Sequence, residues 1–293
     1  MPDYTHKIAL GSAQFGMDYG VVNEGGQVSA EHIAQILAYA AEKNPQMIID
    51  TAPLYGNSEE VLGRALAQMS SHDFRIITKT DANFDALEET FTRSRRHLGQ
   101  ETLYGLLDHN AWHLLSSENR DKTYRLMQSF KDKGWVGKIG ATIYTRADIE
   151  TLLENYDLDI LQIPINIFDQ RLLEDNFLSD LKSQGIEIHA RSVFLQGILL
   201  CETAALPTFF ETYKAHFTAF DDFCKSHEIS KAQACINFVQ SLEAIDMLVL
   251  GVLSKEQLDE HILNSNPLAV PDFSSLACFD EPLINPSLWP KNR

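Results

Sequence analysis

Four residues invite a chemical reading before anything else in the sequence. Asp50 closes the apolar run Ile48-Ile49-Asp50, and Tyr55 follows in the adjoining turn. Lys79 ends Ile76-Ile77-Thr78-Lys79, and His109 ends Leu106-Leu107-Asp108-His109. A free tyrosine, with a pKa of about 10, is a poor proton donor that must also be regenerated near neutrality. An ammonium close by stabilises the phenolate and lowers that pKa, and a carboxylate holds the ammonium in place. A histidine beside the same oxygen can polarise a carbonyl. The set suits delivery of a proton to an oxygen that gains charge as hydride attacks its carbon. Singly, each has a plainer explanation. Asp50 or Lys79 could be members of structural ion pairs, His109 a satisfied core histidine, and Tyr55 a loop residue packed on a neighbour. Placement at three successive strand ends is what tilts the reading.

Such side chains act together only if the elements bring them together. Short apolar runs at 8–10, 47–49, 75–78, 103–107, 138–141, 160–163, 187–191 and 247–250 read as strands buried on both faces, as in parallel sheets. Helical periodicity fills the intervals at 30–42, 59–69, 86–98, 123–133, 146–155, 176–184, 206–226, 231–241 and 255–264. Asn57 or Ser58 stands as N-cap of the second of these, with Glu59 and Glu60 in its first turn. Strict alternation of this kind predicts an α/β fold, a (β/α)8 barrel of the TIM type over residues 1–293 as a single domain. A doubly wound open sheet is the alternative. Residues 267–293 hold five of the ten prolines and read as a C-terminal tail wrapping the surface. In a barrel the chemistry sits on the loops after the strands' C-terminal ends, where all four residues fall.

The formal charge of −17 argues against nucleic acid and anionic membranes as partners. Cys201, Cys224, Cys235 and Cys278 have neither disulfide-framework nor zinc spacing, and no run approaches membrane-spanning length. The start of the chain lacks an apolar run of signal-peptide length, so a reduced, cytoplasmic protein is expected.

The segment Asp50-Thr51-Ala52-Pro53-Leu54-Tyr55-Gly56-Asn57-Ser58-Glu59-Glu60-Val61-Leu62-Gly63, with Lys79 and His109 in place, resembles the aldo-keto reductase superfamily. That resemblance extends over essentially the whole chain. It implies a nicotinamide cofactor bound without a Rossmann fold, a small-molecule carbonyl substrate, and a catalytic tetrad of Asp50, Tyr55, Lys79 and His109. Gly11, Ser12 and Ala13 match the family's first-strand turn beside the cofactor. Thr142 and Gln162 match nicotinamide-binding positions. Ser192, Phe194 and Gly197 belong to the segment after the seventh strand, and Gly251, Val252, Ser254, Gln257, Glu260 and His261 to the segment that holds the adenosine end.

The chain also departs from the family pattern. Gly140-Ala141-Thr142-Ile143 replaces Gly-x-Ser-Asn, so Thr142 keeps the hydroxyl while Ile143 loses the amide. Arg191 replaces the aromatic that stacks on the nicotinamide. It is expected to lie flat on that ring or reach the pyrophosphate, the alternative being a strand-end arginine paired with an acidic neighbour. Gly251, Val252 and Gln257 bring no cation for a 2′-phosphate, which leaves Lys255 nearest; NADP(H) is expected over NAD(H), but only modestly. Gln14, Phe15, Tyr19, Trp112, Phe168, Phe194 and Trp289 are candidate substrate-pocket residues. Two other readings stay open: a cofactor-binding regulatory barrel without turnover, and a metal-dependent barrel hydrolase with Asp50, His109 and His189 as ligands.

Overall fold

A computed structural model describes residues 5–23, 25–265 and 271–290. Eight parallel strands pair in chain order and close on themselves: β1 (Ile8–Gly11), β2 (Ile48–Asp50), β3 (Arg75–Thr80), β4 (Leu103–Asp108), β5 (Val136–Thr142), β6 (Ile160–Pro164), β7 (Glu187–Arg191) and β8 (Met247–Gly251). Pairing of β1 with β8, Ile8 opposite Leu248, makes the sheet a barrel and rules out the open one. Most strands run past the apolar pattern, to Gly11, Asp50, Thr80, Asp108, Thr142, Pro164 and Gly251. The pattern lapses at Gly11, Asp50, Thr142 and Gly251 where those residues line a polar cleft at the barrel's rim.

Helices follow the strands and bury one face each against the outside of the barrel. Their starts are written locally. The hydroxyls of Ser29, Thr145, Ser230 and Ser254 each accept the N–H three residues on, which satisfies a donor the helix leaves orphaned. The helix Phe84–Leu98 ends at Gly99 in the left-handed conformation, φ 67°. Inside the barrel, Ala9, Ile48, Ile77, Leu107 and Ile160 form an apolar layer separate from the outer core.

Three expectations are corrected. The helix expected at 206–226 begins only at Lys214; Thr208–Tyr213 is a 3-10 segment, because Phe210 turns inward onto Phe217 and Trp289. Asn57 occupies the N-cap of the helix Ser58–Gln68 but does not cap it with its side chain: Asn57 accepts from Gln27, and the Ser58 hydroxyl donates to Ser12. The described part of the tail does not merely wrap the surface, since Phe273, Leu276, Leu283, Ile284 and Trp289 are buried. Residues 266–270 and 291–293 of that tail lie outside the described residues.

Candidate active site

The loop carrying Tyr55 is held by backbone pressed on backbone. A Cβ on Gly16 would come within 1.8 Å of the Tyr55 carbonyl oxygen, and one on Gly56 (φ 59°) within 2.2 Å of the Gly16 oxygen. Only glycine permits this approach. Ser58 locks the base of the loop, its hydroxyl 2.8 Å from the Ser12 carbonyl and 2.9 Å from the Ser12 hydroxyl. Glu59, pushed up by burial, accepts from Thr78 at 2.6 Å and ties the following helix to β3.

Against that frame the four expected side chains converge. Lys79 Nζ donates to Asp50 Oδ1 at 2.5 Å, to the Thr51 carbonyl at 3.1 Å and to the Tyr55 hydroxyl at 3.2 Å. The other Asp50 oxygen accepts from Gln162 Nε2 at 2.8 Å. The His109 ring meets the Tyr55 ring edge-on, 5.5 Å between centroids. Its backbone is fixed by the Thr80 carbonyl at 2.8 Å and by the Thr142 hydroxyl, which donates to the His109 carbonyl.

The electrostatics differ in one respect from the sequence argument. Burial pushes the Tyr55 phenol above its ordinary value; Lys79 pulls it down without offsetting that burial. Lys79 is itself raised: burial opposes its charge, and Asp50 with Tyr55 outweighs burial. His109 is held down to about 3 by burial, then by the positive charges of Lys79 and Arg191, so it is a neutral imidazole near neutrality.

These groups lie at a cleft of about 820 Å³, a size suited to a small organic ligand. Of the expected cofactor residues, Gly11, Ser12, Ala13, Asp50, Thr142, Gln162, Arg191, Ser192, Phe194, Gly197, Gly251, Gln257, Glu260 and His261 line it. Val252 and Ser254 do not: Val252 is buried, and Ser254 caps the helix Lys255–Asn264. Gly251 lets the Gln14 amide close in, since a Cβ there would sit 2.7 Å from it. Buried atoms without protein partners, Arg191 Nε, His109 Nδ1 and His261 Nδ1, belong to the same lining, as expected of a place made for a polar ligand. Glycine-rich walls, orphaned polar atoms and this volume fit a nicotinamide dinucleotide.

Gln14, Tyr19 and Phe194 also line the cleft, as expected, but the remaining pocket candidates do not. Phe15 and Phe168 are core residues, Trp112 is 53% exposed, and Trp289 packs on Phe210 beside a separate recess. Arg191 has no acidic partner among the described residues; it stacks on the Tyr144 ring, 4.3 Å from its centroid. Tyr144, Gln196, Glu202 and Lys231 line the cleft without having been expected there. Tyr144 and Gln196 were within reach, the first just past the end of β5 and the second between Phe194 and Gly197; Lys231 arrives through long-range chain closure that no local pattern marks. The metal-ligand alternative fails on geometry. His189 Nε2 is 2.6 Å from Glu187, Asp50 is bound by Lys79 and Gln162, and among the described residues no three ligand types gather.

The model for the aldo/keto reductase family matches residues 7–275. No curated protein matches the chain. Among solved structures, an aldo-keto reductase from Bacillus halodurans in its holo form superposes with a TM-score of 0.74 at 15% identity, covering 92% of each chain. The glycerol dehydrogenase of Gluconobacter oxydans gives 0.71 at 18% identity, covering 98% of this chain and 94% of its own. An aldo/keto reductase from Brucella melitensis gives 0.65 at 19%, covering 92% and 93%. At these identities the structural likeness speaks to fold.

Proposed function

The chain belongs to the aldo/keto reductase family, and on that premise we propose that it is a cytoplasmic, single-domain NAD(P)H-dependent reductase of aldehydes or ketones, with Tyr55 as proton donor. The observation that carries the reading is the Lys79 ammonium bonded at once to Asp50 and to the Tyr55 hydroxyl, with a neutral His109 alongside. When bound, the cofactor supplies hydride to the carbonyl carbon. His109 orients the carbonyl oxygen as a neutral donor, and Tyr55 gives that oxygen its proton as charge builds there. Lys79 stabilises the phenolate left behind, and Asp50, held by Gln162, fixes Lys79 in position. We favour NADP(H) over NAD(H) by a narrow margin. Lys231 faces the cleft, although it pairs with Asp221, whereas Lys255 lies over the Tyr39 ring and Glu202 and Glu260 oppose a second phosphate.

Incubation with reduced cofactor and 4-nitrobenzaldehyde should consume the reduced-nicotinamide absorbance. Tyr55→Phe should slow this by roughly 10²–10⁴-fold while cofactor affinity, read by fluorescence quenching, stays near native. A folded Tyr55→Phe protein with native turnover would remove the proton-donor assignment.

A further inference from the structure

Charge in the cleft is unevenly matched. Asp50 is neutralised by Lys79, and Lys231 pairs with Asp221 at 2.6 Å. Arg191 differs. Among the described residues it makes no ion pair: its contacts are the Tyr144 ring face and the Ser192 hydroxyl, 3.2 Å from Nη1, while Nε is buried and bonded to nothing. The chain carries a net charge of −17, so a cation without a carboxylate partner inside a cleft runs against its composition. A guanidinium partly withdrawn from water and unpaired is costly, and a ligand anion offsets that cost.

Its neighbours share its preference. Both charges that act on His109 are positive, those of Lys79 and Arg191. Tyr19, its phenol pushed up to about 12 by burial, keeps its hydroxyl proton and lines the same space. The acidic lining residues Glu202 and Glu260 arrive from the segment after β7 and from the helix Lys255–Asn264. With Lys79 set against Asp50, Arg191 is the charge acting on Tyr19, Tyr55 and His109 that no described residue balances, and its planar edges suit two-oxygen anions.

We propose that Arg191 receives an anionic group of the substrate, a carboxylate or a phosphate carried a few bonds from the reducible carbonyl. This rests on the carbonyl-reductase reading and names the substrate class within it. Two matched pairs test it: 4-formylbenzoate against its methyl ester, and glyceraldehyde 3-phosphate against glyceraldehyde, each scored as the ratio of kcat/KM for anion over neutral compound. The native enzyme should favour the anion more than tenfold in at least one pair, and the pair that does so tells carboxylate from phosphate. Arg191→Met should cut that ratio at least tenfold, and Arg191→Lys should keep part of it. Native ratios of one or less in both pairs would overturn the proposal. So would an Arg191→Met ratio equal to native, including the case where only cofactor affinity falls, since Arg191 would then serve the cofactor alone. Calorimetry of benzoate and inorganic phosphate on the cofactor-loaded protein separates the two readings. If no aldehyde turns over, an anion bound by the native protein and lost in Arg191→Met supports the anion site while the reductase reading fails; no binding overturns the site.

Discussion

An ammonium has three hydrogens, and Lys79 gives each an acceptor: a carboxylate, a backbone carbonyl and the Tyr55 hydroxyl. That satisfaction is what lets a lysine 1% exposed remain charged. Lys79→Met deletes the charge and leaves the phenolate of Tyr55 alone in a buried place. The Tyr55 pKa then moves further up, because nothing remains to counter burial. The donor form is the protonated one, so carbonyl reduction should lose rate on the alkaline side as Tyr55 ionises. In Lys79→Met that limb should shift to higher pH, and turnover should fall by about 10²-fold because the spent donor is less stable. A pH–rate profile of the folded variant checks this, and an unmoved limb would leave Lys79 a structural role only. The residue types at these strand ends were legible in the sequence. What was not legible was the balance between burial and Lys79 at Tyr55, because it depends on how deep the loop sits.

At the scale of elements, the turn at Gly16 and the turn at Gly56 share a space that no side chain could enter. Gly16→Ala would press a methyl into the backbone of Tyr55 and Ser58, so one turn must yield. We expect about 1–3 kcal/mol of lost stability in urea unfolding together with reduced turnover, since the displaced turn carries Tyr55. Gly25→Ala, whose added methyl would meet Asn23 Oδ1 only at 3.5 Å, is the control and should change neither; equal behaviour of the two variants would contradict the account. The strands and most helices were readable because each buries a periodic apolar face. Strand ends were read short, because rim residues such as Thr142 and Gly251 answer to the cleft. The 3-10 segment Thr208–Tyr213 was missed because Phe210 is placed by Trp289, far away in the chain. Gly11, Gln162 and Arg191 reached the cleft as expected, but Lys231 came from a helix whose pattern announces only packing.

For the whole molecule, the barrel has two charged ends. Opposite the cleft, Glu187 accepts from Tyr104 at 2.7 Å and from Lys138, and His189 stands 2.6 Å from its other oxygen. Burial alone would raise Glu187, but the bonds from His189, Lys138 and Tyr104 outweigh it and bring its pKa to about 2. A carboxylate lowered on folding adds stability above its unfolded pKa, and that stability is lost as pH falls through the folded value. Here the window runs from about 4.5 down to about 2, and the contribution is on the order of 2 kcal/mol after allowing for water at Lys138. Urea midpoints taken across that window should converge between native and Glu187→Gln as acid is added, with native ahead at pH 6. Parallel lines would mean that the network does not titrate.

Between the two ends lies the layer of Ala9, Ile48, Ile77, Leu107 and Ile160, a septum that holds no dipole worth the name. It is a barrier to water and protons, not to electric fields. Coulomb forces weaken less across hydrocarbon than across water, so a change of charge among Tyr104, Lys138 and Glu187 is felt at Lys79 with only distance to soften it. What the septum withholds is passage: its five side chains carry no polar atom, so they offer a proton taken up at the foot no relay toward Tyr55.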